Sequence, residues 1–282
     1  MRNFLPQELS ITSWEQIQIY FEDLKNRTIG SATDLKKWMQ DRSELEAVLE
    51  EDMAWRYIKM NIDTTDEDLQ KSFQFFVEKI SPHTAPYDHG FNTKLVESPF
   101  LKDLDQETYF IYLRSVENDI KLYREENIPL FTELTNKAQK FGEIAALMMV
   151  TIDGEEKTLQ QASVYLKGTD REKRKDAFEK VNARSVEDKE SLDILLDELI
   201  EKRQEVAKNA DFENFRDFKF QSMGRFDYTK EDCFNFHESI AQEIVPLIAD
   251  IQKERKANLG LAVLKPWDMS VDPNGNQPLK PF

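Results

Sequence analysis

The sequence predicts a mainly helical protein carrying one small β-hairpin. Three observations point there. The 282 residues include only 8 Gly and 10 Pro, so few positions call for a positive φ or interrupt a helix. Residues 31–62 contain neither, and within them Leu35, Trp38, Met39, Leu45, Val48, Leu49, Trp55 and Ile58 recur every three or four positions, the period of a helix with an apolar face. Residues 147–159 stand apart as two β-prone arms around Asp153-Gly154, a dipeptide suited to a tight hairpin turn.

The elements follow in order. In Thr12-Ser13-Trp14-Glu15, a hydroxyl at the N-cap and a carboxylate three residues on can satisfy each other's free amides, and Ile17, Tyr20, Phe21 and Leu24 continue at helical spacing. One long helix is expected over 31–62. Thr64-Thr65-Asp66-Glu67 starts the next, whose stripe of Leu69, Phe73, Phe76, Val77 and Ile80 is expected to stop at Pro82. Residues 81–105, with Pro82, Pro86, Gly90 and Pro99, read as a connection with room for one short helix. A helix over 106–127 is expected to close at Pro129, with another over 130–146. Beyond the hairpin, Thr169-Asp170-Arg171-Glu172 opens a charged helix through Phe178 and Val181. Residues 186–209 give a further one with Leu192, Leu195, Leu196, Leu199 and Ile200. A boundary is expected near 209–223, where Phe212, Phe215, Phe218 and Phe220 crowd together. Thr229-Lys230-Glu231-Asp232 then caps a helix to about Leu259 that tolerates Pro246 with a kink. The tail, 265–282, contains Pro266, Pro273, Pro278 and Pro281, has no period, and reads as a connection that stops midway.

Composition narrows the function classes. Lys and Arg number 38 against 54 Asp and Glu, a net charge of −16 that argues against nucleic acid and anionic membrane surfaces as partners. A hydrophobic content of 40%, with 19 Phe, 8 Tyr and 4 Trp, is too rich in core formers for a disordered acidic tail. The one cysteine, Cys233, cannot form an intramolecular disulfide, which favours a reducing compartment. The opening MRNFLPQELS lacks a basic region followed by an apolar run, and no stretch approaches about 18 apolar residues, so the expected location is the cytoplasm.

No complete active site is legible in the residue chemistry. His237-Glu238-Ser239-Ile240-Ala241 begins like the zinc-peptidase pattern H-E-x-x-H but has Ala241 where the second histidine must stand. Cys233 and His237 are spaced to chelate together, yet no third ligand is evident. His83 and His89, with Asp88, fall on the expected connection and read as structural or solvated groups. Asp272, Asn274 and Asn276 mimic the first ligands of a calcium loop, but Gln277 replaces its turn glycine, so a simple turn is expected. Acid pairs such as Glu50-Glu51 and Glu155-Glu156 read as solvated faces. There is no G-x-S-x-G and no glycine-rich phosphate loop.

Several stretches nevertheless resemble one family in their order and spacing. They are the hairpin segment from Val150 to Leu159, Thr169-Asp170-Arg171-Glu172-Lys173-Arg174, Asn214-Phe215-Arg216-Asp217-Phe218-Lys219-Phe220 and Gly224-Arg225-Phe226-Asp227-Tyr228. Phe236-His237-Glu238, Val245-Pro246-Leu247, Leu259-Gly260-Leu261 and Leu264-Lys265-Pro266-Trp267-Asp268 continue the series. Together they resemble the oligoendopeptidase F family of zinc metallopeptidases, relatives of thimet oligopeptidase, over most of the chain from about Asn118 onward. The resemblance implies a multi-helical N-terminal lobe over 1–205, with the small hairpin near 147–159. Residues 206–282 are then the incomplete start of a helical catalytic domain. It implies a channel that admits short unstructured peptides. Zinc, as cofactor of the complete enzyme, would polarise the scissile carbonyl and activate a water, with the motif glutamate as base. In that family the zinc motif lies in a region that would follow Phe282. No catalytic, cofactor-binding or metal-ligating residue is therefore assigned to this chain, which alone is expected to be inactive and metal-free. The alternative is a non-catalytic helical protein, derived from a peptidase, that binds peptides or other partners.

Overall fold

The first apolar stripe becomes helix α1 (Trp14–Asn26), burying Ile17, Phe21 and Leu24. In this computed structural model, which describes residues 2–278, its N-cap is Ser13 rather than Thr12, and Gln16 rather than Glu15 returns to the Thr12 amide (3.0 Å). The expected long helix is α2 (Ala32–Ile62), started by Ser31, whose hydroxyl accepts the Asp34 amide. Its first half buries Leu35, Trp38, Leu45, Val48 and Leu49, whereas Trp55 and Ile58 at the end of the same stripe are exposed. Asp66 caps α3 (Glu67–Phe75) by accepting the amides of Asp68 and Leu69.

The expected connection after Pro82 is instead helical. A π turn at Phe76–Ile80 leads without a break into α4 (Ser81–Val96). The π turn lies immediately before Pro82, whose missing N–H donor falls where the helix is widened, and Pro86 stands inside α4 itself. Pro129 does not close a helix either. Helix α5 (Gln106–Leu122) ends seven residues before it, and Pro129 lies inside the first turn of α6 (Asn127–Ala146).

The hairpin is present as expected. Strand β1 (Met149–Ile152) runs antiparallel to β2 (Glu155–Thr158) with Ile152 opposite Glu155, and Asp153 and Gly154 both take positive φ (55° and 81°), the signature of a type I′ turn. A short helix the sequence reading lacked, α7 (Leu159–Ser163), follows at once on a reciprocal cap between Thr158 and Gln161. Asp170 starts α8 (Arg171–Glu187), which precedes α9 (Lys189–Asn209). The phenylalanine-dense segment folds as α10 (Phe215–Ser222), capped by Asn214. The capping box of Thr229 and Asp232 opens α11 (Lys230–Ser239), and a second π turn, Ile240–Ile244, joins it to α12 (Val245–Asn258) just before Pro246. A 3₁₀ turn, Pro266–Asp268, lies in the tail; residues 279–282, with Pro281, lie outside the described residues.

The contacts divide the chain into two units, one of Met1–Glu143 and Asp197–Arg225, the other of Ile144–Leu196 and Phe226–Phe282. The main core of the first joins Ile17, Phe21, Leu24, Leu35, Trp38, Phe91 and Leu95 from α1, α2 and α4. Burial of each such side chain contributes roughly 2 kcal/mol. The indole of Trp38 donates to the Leu24 carbonyl (2.8 Å), so even its polar edge is satisfied. Residues 3–5 are held against α2 by Glu44, whose carboxylate accepts the amides of Asn3, Phe4 and Leu5 at 2.7–2.9 Å. A second cluster packs Leu122, Leu130, Val206, Ala207 and Phe218, so α10 completes the core of the first unit. The second unit has its own small core of Val150, Ile152, Ala162 and Ala177.

Candidate functional site

The sequence-level ligand candidates do not converge. His237 lies exposed on α11, with Ala241 four residues on and the half-exposed Cys233 four residues back. Among the described residues no group of three His, Cys, Asp or Glu is placed to hold a metal ion. The zinc implied by the resemblance therefore finds no fitting donor set in these residues. His83 and His89 sit on α4, not on a loop, and six residues of helix turn them to different sides. His83 stacks on Trp14 (5.1 Å between centroids, 20° between planes) and His89 on Tyr123 (4.0 Å, 9°). Asp272 forms the expected turn: its carboxylate accepts from the Asn274 amide (2.9 Å) and the Asn276 side chain (2.6 Å).

The second unit contains a charge cluster that sequence reasoning did not isolate. Asp268 is fully buried. Arg171 of α8 grips it with two parallel bonds (2.9 and 2.8 Å), Arg174 adds a third (3.0 Å), and the Lys265 amide a fourth (3.0 Å). Burial opposes the charge, but these donors outweigh it and hold the carboxyl below its ordinary range. Arg174, itself buried, spends its other N–H groups on the carbonyls of Trp267, Gly168 and Thr169 at 2.9–3.0 Å. A carboxylate so saturated has no proton to exchange. The cluster is a brace that fixes 265–268 to the start of α8, and Arg255 extends it by donating to the Val271 carbonyl (2.6 Å). Its sequence signal was only the proximity of Arg171 and Arg174 on one helix, with the partner more than ninety residues away.

Helices α11 and α12 show the opposite character. Neither they nor the π turn between them buries a single residue, although Phe236, Val245, Leu247, Ile248 and Ile251 are large and apolar, with exposures from 45% to 64%. Val245, Leu247, Ile248 and Ile251 fall within about half the circumference of α12, at 100° per residue, and so form one exposed apolar face. A contiguous apolar surface of this kind marks a place for a partner.

A cleft of about 810 Å³ in the first unit has Lys25, Tyr87, His89 and Lys94 among its lining residues. Most of its polar groups are already engaged. Lys94 caps the end of α1 by donating to the carbonyls of Leu24, Lys25 and Arg27 at 2.7–3.0 Å, and the Tyr87 hydroxyl donates to Glu22.

Comparison with known proteins gives two matches, separated by residues 124–163. The family profile described as Peptidase M3 N-terminal domain matches residues 4–123, and the one described as Peptidase family M3 matches residues 164–278. None of the curated proteins matches the chain. Among solved structures, a protein designated oligoendopeptidase F from Bacillus anthracis is similar over 96% of this chain and 50% of its own, at 26% identity and a TM-score of 0.87. A second protein with that designation shows 25% identity and a TM-score of 0.89 over 98% of this chain and 49% of its own. PZ peptidase A, solved with an inhibitor, shares the fold at 24% identity and a TM-score of 0.88, over 97% and 49%. The chain thus spans about half the length of the solved structures it matches. No helix among the described residues is long and apolar enough to cross a membrane.

Proposed function

The chain belongs to peptidase family M3, and on that basis we propose that it is the N-terminal portion of a cytoplasmic zinc-dependent oligoendopeptidase that hydrolyses internal bonds of short unstructured peptides. In this reading it supplies one wall of the substrate channel and the scaffold beneath the zinc site, and the metal is held by residues outside this chain. The observation that carries the proposal is the surface of α11 and α12. An exposed apolar face on α12, in a pair of helices that bury no residue of their own, supports a protein whose core continues into further chain. The half-length match to the solved structures supports the same reading.

The test assays the chain for zinc by elemental analysis and for cleavage of an internally quenched short peptide, alone and coexpressed with a zinc-bearing second half from a family M3 enzyme. The chain alone is expected to hold far less than stoichiometric zinc and to cleave nothing, while coexpression restores chelator-sensitive cleavage. Stoichiometric zinc and chelator-sensitive cleavage by the chain alone would overturn the proposal.

A further inference from the structure

A second cleft in the first unit, about 470 Å³, opens between α2, α4 and α5 and has a different make-up from the first. Its floor is apolar, formed by Leu49, Phe76 and Val116, all buried. Arg42 enters it from α2 with only 6% of its surface exposed. Its Nε donates to Glu46 (2.6 Å) and one Nη to the Asn92 side-chain oxygen (2.7 Å), but Nη1 is buried and has no hydrogen-bond partner. A buried guanidinium N–H left unpaired is costly, and an acceptor placed in the cleft would relieve it. Four carboxylates line the same space: Glu46 and Glu50 from α2, Asp88 from α4 and Asp119 from α5. Glu46 is already paired with Arg42, whereas burial and the charge of Glu46 push the Asp88 carboxyl up to about 6, so Asp88 would gain from a positive charge placed beside it.

These two needs select one ligand chemistry. A bare metal cation would satisfy the acids but leave the Arg42 N–H unpaired beside another positive charge. A simple anion would satisfy Arg42 but face four carboxylates. We propose that the cleft between Arg42, Asp88 and Asp119 binds an α-ammonium group together with its neighbouring carboxylate or carbonyl oxygen and an apolar side chain, as presented by a free amino acid or by the N-terminal residue of a peptide. The oxygen accepts from Arg42 Nη1, the ammonium lies among the carboxylates, and the side chain covers Leu49, Phe76 and Val116. The inference does not depend on the peptidase reading, because the cleft lies wholly within one unit and contains no hydrolytic group.

Titration calorimetry and amide chemical-shift mapping on the whole chain test it with four probes: L-leucine, the dipeptide Leu-Gly, N-acetyl-leucine and isoamylamine. Saturable binding of leucine or Leu-Gly is expected, with shifts confined to α2, α4 and α5. N-acetyl-leucine, lacking the ammonium, and isoamylamine, lacking the oxygen, should each bind at least about tenfold more weakly, the loss of one charge-assisted contact. Binding of leucine assigns a free amino acid as the source, and binding of Leu-Gly alone assigns a peptide terminus; both support the site. Asp119→Lys, at the exposed rim, should fold with an unchanged circular dichroism spectrum and lose binding about tenfold or more. No binding of either zwitterion up to its solubility limit would overturn the inference. Equal affinity for leucine and N-acetyl-leucine, or full affinity in a folded Asp119→Lys variant, would do so as well.

Discussion

Replacing Asp268 by Asn is the sharpest probe of the brace in the second unit. The substitution keeps the shape and removes the charge that meets Arg171 and Arg174. The two arginines do not contribute equally. Arg171 has 37% of its side chain exposed, so its loss of a partner is softened by water, while Arg174 at 3% has no such recourse. Breaking a buried pair by removing one member costs about 3–5 kcal/mol; Arg174 keeps three carbonyl partners, which places the cost near about 3 kcal/mol. At roughly 3–6 °C per kcal/mol for a domain of this size, the unfolding midpoint of the second unit should fall by about 10 °C or more. The pH dependence has a definite sign. Because the folded state holds the Asp268 carboxyl below its unfolded value near 3.8, the stabilisation is present above that pH and is lost as pH falls through the folded value. The gap between wild type and Asp268→Asn, followed by thermal or urea unfolding, should therefore be full at pH 7 and narrow below about pH 4. A gap under about 1 kcal/mol at pH 7, or one that widens on acidification, would refute the account of Asp268 as a charged structural brace.

Asp88 should behave in the reverse sense. It faces Arg42 and Glu46 on α2, Thr84 on its own helix, and Tyr112 and Asp119 on α5, and its carboxyl is raised from 3.8 to about 6. Its stabilising protonated form is fully present below pH 3.8 and lost as pH rises through 6, so Asp88→Asn should match wild type near pH 4 and exceed it by up to about 3 kcal/mol at pH 7.5, measured by urea unfolding. Glu44→Ala removes the acceptor of three amides and should cost about 1–3 kcal/mol, with residues 3–5 gaining fast hydrogen exchange. Gly154→Ala places a Cβ at φ 81° in the hairpin turn and should cost about 1 kcal/mol in thermal unfolding, although nothing lies within 4 Å to clash with it.

Where the sequence reading succeeded, the information was local. The long helix α2, the Asp153-Gly154 turn, and the starts of α8 and α11 are each decided by residues within about one turn of one another, through side-chain caps and apolar spacing. The errors were local as well, and they share a cause. Proline reads as an end in two places, Pro82 and Pro129, but its effect depends on position. At Pro129 the ring occupies the first turn of α6, where the backbone nitrogen has no bond to lose, and at Pro82 a π turn carries the helix past the ring. The two π turns, each placed just before a proline-bearing helix, show how the chain stays helical through them. A proline rule that ignores helix register thus turns one continuous helical run, from Glu67 to Val96, into a helix and a loop.

The candidate sites were illegible for a different reason. Arg42 meets Asn92 fifty residues away, and Arg174 meets Asp268 across ninety-four. In one dimension each of these residues is an unremarked charge among 92 of its kind, since 33% of the chain is Asp, Glu, Lys or Arg. What separates them is burial, which the fold confers and composition does not. The consequence is a useful asymmetry between the two clusters. At Asp268 the carboxylate accepts four hydrogen bonds and is held below its ordinary range; at Asp88 burial and the charge of Glu46 drive the carboxyl up. A matched buried cluster needs nothing further and serves the fold. An unmatched one, with an orphaned Arg42 N–H beside surplus carboxylates, is stable only because the remaining core supports it, and that deficit is what a ligand can repay.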